Sequence, residues 1–222
     1  TLKSQIISTD IVAADAAAAK LFNSEPDDIG YIRIAHEMKL GNKNLDQLNI
    51  TSPYILYPAR NWPHKRHDLL LSVMREITLA RDDLQLVLTG WHDEGAIDDL
   101  ARKWEVPREK IIELNYVSDA QMIFLYRNAE ALMFVSEYEG FGMPILEAMQ
   151  NGCPVLCAPV TSIPEVAGDA ALYVDSEHPQ DWAKAFLEDL PLQRENLIQK
   201  GFQQAQKFTW EKTQGHWRDL IG

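Results

Sequence analysis

Cysteine is nearly absent: Cys153 and Cys157 are the only two in 222 residues. They stand four apart in CPVLC, and on a strand that spacing covers roughly 13 Å, well past disulfide reach. No second pair completes a zinc site. Two small buried side chains in a reducing compartment is the reading that fits. Basic charge is also scarce, with 21 Lys and Arg against 33 Asp and Glu and a net charge of −12. That deficit disfavours non-specific binding to nucleic acid or anionic lipid, and no basic stripe accompanies the six tryptophans. The six histidines show no metal-ligand spacing. No apolar run approaches the ~20 residues of a membrane span, and no charged-then-apolar leader is seen. The alanine-rich AADAAAAK is too short and too charged for either. These absences predict a cytoplasmic protein with no direct membrane span, no metal and no nucleic-acid partner. Internal repeats and low-complexity tracts are missing as well.

What is present suits one α/β domain, or one domain with a small appendage. Apolar residues make up 46% of the chain, enough for a substantial core. Residues 1–30 contain a short apolar run, Gln5 to Ser8, and a helix from Ile11 to about Phe22 behind the N-cap candidates Thr9 and Asp10. Tyr31–Ala35 alternates as a strand, and polar Glu37–Ser52 reads as a loop or linker. From Tyr54 the pattern becomes regular. Strands are expected at Tyr54–Ala59, Leu84–Thr89, Ile111–Asn115, Ala131–Val135, Val155–Ala158 and Ala171–Val174. Helices are expected near His67–Ala80, Gly95–Trp104, Ala120–Asn128, from Pro144, from Ile163 or Pro164, and near Gln180–Leu190, Leu192–Phe208 and Trp210–Leu220. Such alternation predicts a Rossmann-like, doubly wound parallel sheet covered on both faces. Ligands then bind beyond the carboxyl ends of the strands.

The chain is organised around Ala131–Gly152, ALMFVSEYEGFGMPILEAMQNG. An apolar strand runs into a polar turn with Glu137, Glu139 and two glycines around Phe141, and Pro144 suits the first position of a helix. Strand, glycine-containing loop and helix start together build an anion site from backbone N–H groups and the helix dipole. Glu139 in the loop and Glu147 about one turn into the helix can both reach the space above the strand end. Phosphate-friendly backbone between two hydroxyl-accepting carboxylates suits a nucleotide sugar. The same pair could be the acid and base of a glycoside hydrolase, but a hydrolase gains nothing from the Gly-Phe-Gly loop. Phe141 is a core plug or a pocket wall, the plug being the plainer reading.

A second constellation, Ala59-Arg60-Asn61-Trp62-Pro63-His64-Lys65-Arg66, follows the first regular strand. Arg60 and Lys65 would supply the positive charge that a departing diphosphate requires. The alternative is a solvated basic loop, although such a loop rarely needs a tryptophan. His64 and His67 have no visible partner for acid–base work and read as structural or phosphate-adjacent. Tyr116 and Val117 in Asn115–Ser118 could flank a nucleotide base, or merely join a strand end to a helix cap. Thr161 and Ser162 open another strand-to-helix turn that could close over a diphosphate, or merely cap a helix.

Glu139-Gly140-Phe141-Gly142-Met143-Pro144-Ile145-Leu146-Glu147 resembles the E-x7-E signature of the retaining glycosyltransferases of family 4, which have the two-domain GT-B fold. Tyr116–Asp119, Ser162–Gly168 and Phe208–Lys212 resemble further landmarks of that family in the same order. Arg60 and Lys65 resemble its phosphate-binding Arg and Lys. The resemblance implies transfer of a hexosyl group from a nucleotide-diphosphate sugar to an acceptor, metal-independent and with retained configuration, in glycan or polysaccharide synthesis. It implies that Arg60 and Lys65 neutralise the diphosphate, and that Glu139 with Gly140, Phe141, Gly142 and Met143 contacts sugar and phosphates. Glu147 would bind the ribose, Tyr116 and Val117 would lie against the base, and Ser162 would sit by the donor. The family often has glycine before the Arg and after the Lys, where this chain has Ala59 and Arg66.

The resemblance further implies that residues 31–222 are the C-terminal, donor-binding domain, and that residues 1–30 resemble the end of an N-terminal domain. An acceptor-binding N-terminal domain would then be the missing partner, and any membrane association would come through it. The chain alone is expected to bind donor without turnover. A non-catalytic nucleotide-sugar-binding module, or a subunit completed by a partner domain, is the alternative.

Overall fold

The computed structural model describes residues 52–209, together with residues 48, 50, 212 and 214. The helix expected at Ile11–Phe22, the strand at Tyr31–Ala35, the loop or linker at Glu37–Ser52 and the last helix, Trp210–Leu220, lie wholly or largely outside the described residues. The chain divides into two compact units, residues 52–115 with 126–222 and residues 1–51 with 116–125.

Six strands form the sheet: β1 (Tyr54–Pro58), β2 (Gln85–Thr89), β3 (Ile111–Leu114), β4 (Ala131–Phe134), β5 (Val155–Cys157) and β6 (Leu172–Tyr173). The order is β3-β2-β1-β4-β5-β6, and every pair is parallel. The strands read as continuous apolar runs because both faces are covered; Ile55, Leu56, Leu86, Val87, Leu132 and Met133 are all inaccessible to solvent. Most strands end one residue earlier than their apolar pattern suggests. The ladder nevertheless runs on, with Ala59 N–H donating to Thr89, Gly90 to Asn115 and Ala158 to Phe134.

Among the described residues seven α-helices follow: α1 (His67–Ala80), α2 (Ala96–Lys103), α3 (Asp119–Asn128), α4 (Met143–Gln150), α5 (Ile163–Ala167), α6 (Pro179–Lys184) and α7 (Leu190–Ala205). Pro144 is therefore the second residue of its helix, not the first. A larger difference lies near Pro191, where two separate helices are expected. Helix continues instead from Pro179 to Ala205 through a π-type turn at Ala185–Asp189. There the Leu190 N–H reaches back five residues to the Ala185 carbonyl. The widened turn shifts the hydrogen-bond ladder just before Pro191, which has no N–H to contribute, and so the proline does not break the rod.

The two cysteines are reduced and buried, and burial pushes the Cys153 thiol up to about 12. Both are therefore inert apolar filling. After β1 the chain moves outward to β2 and β3, then returns to place β4 on the other side of β1. The loops leaving β1 and β4 lie together at this switch point, where sheets of this kind form their ligand crevice.

Candidate functional site

The loop leaving β1 closes quickly. Pro63–Lys65 form one 3-10 turn, with Lys65 N–H donating to Trp62 O at 2.9 Å, and α1 begins two residues later. Arg66 joins them in the left-handed conformation, φ 52° and ψ 44°. A glycine at that position is what a left-handed joint favours; arginine is kept there by ion pairs to Glu177 at 2.7 Å and Asp68 at 3.3 Å.

Beneath the turn, the buried Tyr57 of β1 donates its hydroxyl to the Lys65 carbonyl at 2.5 Å and lies 3.1 Å from Ser136 Oγ. Ser136 stands just beyond β4, so one phenol ties both loops. A main-chain bond, Glu137 N–H to His64 O at 2.8 Å, ties them again.

Across the crevice Lys65 Nζ meets Glu139 Oε1 at 2.6 Å. Their side chains are only 16% and 10% exposed, so this ion pair is mostly withdrawn from water. Desolvation of both charges offsets much of the attraction in such a pair, and it contributes little net stability. Each charge remains available to a ligand that satisfies it better.

The main chain of Glu139 is gripped from β5's following loop. Its N–H donates to Thr161 Oγ1 at 3.1 Å, and its carbonyl accepts from Thr161 Oγ1 at 2.8 Å and Ser162 Oγ at 3.1 Å. Ser162 thus turns its hydroxyl to Glu139 and makes no side-chain cap on α5. Gly142 turns the chain into α4 at φ 94°, packed so closely that an added Cβ would lie 2.7 Å from Ile163 Cδ1. Phe141 is a correction: it is 42% exposed and meets Phe208 edge-on at 5.9 Å, so it is not a core plug. Gly140 and Met143 are exposed on the same loop and first helical turn.

Glu147 stands in the second turn of α4, where one carboxylate oxygen accepts the hydroxyl of the buried Tyr126 at 2.8 Å. Arg60 takes no part in the Lys65–Glu139 pair; its guanidinium lies 5.6 Å from the ring centroid of the half-exposed Trp62. Tyr116 and Val117 belong to the other unit. Tyr116 is 83% exposed, and the helix behind it opens with a capping box, Gln121 N–H to Ser118 Oγ at 3.3 Å and Ser118 N–H to Gln121 Oε1 at 3.0 Å. The described structure therefore brings together Lys65, Glu139 and Ser162 by direct contact.

Sequence reasoning missed Tyr57, Tyr126 and His92, the buried partner of His67. His67 and His92 meet at 5.4 Å between ring centroids, with Tyr57 against His67 at 5.1 Å. His92 Nε2 lies 3.1 Å from the Ala59 carbonyl, while both ring nitrogens of His67 are without a hydrogen-bonding partner. Burial, and next the neighbouring His92, pull the His67 pKa down to about 4. Tyr57 and Tyr126 look like ordinary strand and helix positions in the sequence, and His92, in the loop after β2, carries no local signal. Hollows of about 530 and 420 Å³ lie elsewhere, one near Ala101 on α2 and one between Arg81 and Arg194, and neither gathers this chemistry. Among the described residues no cluster of three or more His, Cys, Asp or Glu could hold a metal ion, and no helix is long and apolar enough to cross a membrane.

Residues 42–204 match the family described as glycosyl transferases group 1. The chain belongs to that family. This group 1 glycosyl transferase chain is 37% identical over 166 residues to O-antigen chain mannosyltransferase B of Escherichia coli, a match covering 71% of this chain and 42% of that protein. It is 27% identical over 177 residues to O-antigen chain mannosyltransferase RfbU of Salmonella typhimurium, covering 78% and 48%. The chain thus spans less than half the length of these relatives. Its fold matches TarM of S. aureus with a TM-score of 0.68 at 17% identity, covering 77% of this chain and 36% of that one. It also matches the pneumococcal O-GlcNAc transferase GtfA, solved with UDP and GlcNAc, with a TM-score of 0.64 at 17% identity, covering 76% and 35%. At that identity the two likenesses speak for the fold, the Rossmann-like half of a GT-B glycosyltransferase.

Proposed function

We propose that this group 1 glycosyl transferase chain binds the donor for a retaining transfer of a hexosyl group from a nucleotide-diphosphate sugar. The acceptor would be bound by a further domain, with the chemistry in polysaccharide synthesis. The observation that carries the reading is the shielded Lys65–Glu139 pair at the switch point between β1 and β4. A diphosphate entering the crevice offers Lys65 a stronger partner than one carboxylate. Glu139, released from the ammonium, can then accept hydrogen bonds from sugar hydroxyls. Arg60 at the mouth adds a second positive charge as negative charge grows on the leaving diphosphate, so that no metal ion is required. Glu147, oriented by Tyr126, takes the ribose hydroxyls, and the α4 N-terminus faces the phosphates. Retention follows from attack on the face from which the diphosphate leaves, assisted by its own oxygen.

The mannosyltransferase relatives make nucleoside-diphosphate mannoses the first donors to test. UDP, GDP and ADP, with and without attached sugars, should raise the melting temperature of the chain, by several degrees for the cognate base at about 100 times Kd. Lys65→Ala should weaken that binding by at least about 10-fold, and Glu147→Ala by a similar factor. No shift with any of the three at millimolar concentration rejects the donor-site reading. Sugar transfer by this chain alone would instead reject the need for a further domain.

A further inference from the structure

The loop that carries Glu139 has little packing to hold it in place. Tyr138 and Phe141 are 61% and 42% exposed, and the space around Gly140 is open to beyond 4 Å. Yet the carboxylate in the middle of this loop is aimed into a shielded contact with Lys65. Direction must come from the main chain, and both main-chain polar groups of Glu139 are fixed by the hydroxyl of Thr161, with Ser162 joining at the carbonyl. One hydroxyl accepts from the N–H and donates its proton to the C=O, which locks the peptide planes on either side of the Glu139 Cα. With both planes set, the Cα–Cβ direction is set.

The conformation of Thr161 itself is the second observation. It has φ 45°, in the left-handed region that a β-branched residue avoids. Among the described residues five glycines take the positive-φ conformation, as do Arg66 and Glu105, and of the three non-glycine residues Thr161 alone is β-branched. Strain of this kind persists where surrounding contacts over-determine it, and it gathers at sites where geometry matters. Glycine would relieve the strain at Thr161 but carries no hydroxyl.

We propose that Thr161 is a positioning residue of the donor site, whose strained backbone presents one hydroxyl to both main-chain groups of Glu139 and so aims that carboxylate at the donor sugar. The inference rests on the donor-site reading above and adds a division of labour to it. Lys65 and Glu147 serve the nucleotide, and the Thr161–Glu139 pair serves the sugar.

Calorimetry of the chain with a nucleoside diphosphate and with the corresponding nucleotide sugar separates the two parts. Thr161→Val keeps the branched shape and removes the hydroxyl. It should weaken nucleotide-sugar binding about 10-fold while leaving nucleoside-diphosphate binding within about twofold. Thr161→Ser restores a hydroxyl and should return the affinity to within about twofold of wild type. Adding Thr161→Val to Glu139→Ala should cost no further affinity, since both act through one carboxylate. Equal weakening of both ligands by Thr161→Val, failure of Thr161→Ser to rescue, or additive losses in the double variant would overturn the inference and leave the donor site intact. A wild-type chain that binds no nucleotide or nucleotide sugar removes the donor-site reading and this inference together.

Discussion

The two ends of the sheet are built differently. At the carboxyl ends of β1, β4 and β5, backbone is held in costly conformations and polar groups are withdrawn from water. Arg66 and Thr161 sit at positive φ, a conformation that Glu105 also takes ahead of β3, and Lys65 and Glu139 pair at low exposure. Tyr57 buries a phenol whose ionisation is pushed far out of range by burial. At the amino ends the charges are numerous and wet. Arg81 pairs with Asp83 and Glu130, Lys110 with Asp82, and Arg108 with Asp98 and Glu113, with one partner of each pair at least half exposed except in Arg81–Glu130. Such pairs stabilise weakly. Ion-pair counts would rank the amino end first, whereas the shielding of Lys65 and Glu139 from water locates the site at the other end.

The contrast is sharpest at Gly90, which follows β2. At φ 106° an added Cβ would lie 3.1 Å from the Ala59 carbonyl carbon and 3.3 Å from the Arg60 nitrogen, and main chain cannot swing aside. Gly90→Ala should destabilise the protein by about 3–4 kcal/mol in urea unfolding. A loss below about 1 kcal/mol would mean that the carboxyl end is less constrained than its geometry implies.

Acid offers a second route to the same end. Unfolded His67 takes its proton near 6.5 and the folded residue only near pH 4. The folded state binds fewer protons in that window, so stability is complete above about pH 6.5 and falls as the pH drops to 4. The loss should reach about 3 kcal/mol. His67→Phe should flatten this part of the stability–pH curve, and an unchanged slope would remove His67 as its source.

Tyr57→Phe leaves the Lys65 carbonyl without its phenol and should cost about 1–2 kcal/mol in the same assay. It should also weaken nucleotide binding, because Lys65 loses its anchor. The smallest effect belongs to the amino end: Arg108→Ala should change stability by less than about 1 kcal/mol, despite a guanidinium that contacts Asp98, Glu113 and the Ile111 carbonyl. A larger loss there would erase the distinction between the two ends.

Much of the fold was legible because local pattern decides it. Helix α1 spans His67–Ala80 as its apolar spacing predicts, and each buried strand announces itself as a short apolar run. Strand order was not legible. Nothing in Tyr54–Pro58 or Ala131–Phe134 says that they are neighbours, since that pairing depends on what the intervening elements cover. Pro191 misled because a proline reads as a helix boundary unless the preceding turn widens, and that widening has no residue signature. At the site, Lys65 and Glu139 stood out by spacing around glycines and charges. Tyr57 and Tyr126 did not, because a tyrosine in an apolar run is indistinguishable from core until its hydroxyl is seen to find Lys65 or Glu147. Thr161 was visible as a hydroxyl at a turn, but its positive φ was not.

The placement of β1 also governs how the chain can assemble. One edge of β1 pairs with β2 early in the sequence, but the other waits for Ala131 and Leu132. At typical rates of synthesis that edge stays open for on the order of ten seconds while β2, β3 and their helices are already available. During that interval the centre of the future sheet, Ile55 to Tyr57, is an exposed apolar edge of the kind that recruits a wrong strand. The strand beneath the Lys65 turn is therefore also where the nascent chain is exposed to misassembly, and closing β4 onto it covers that edge and brings the Lys65 and Glu139 loops together before β5 and β6 extend the sheet.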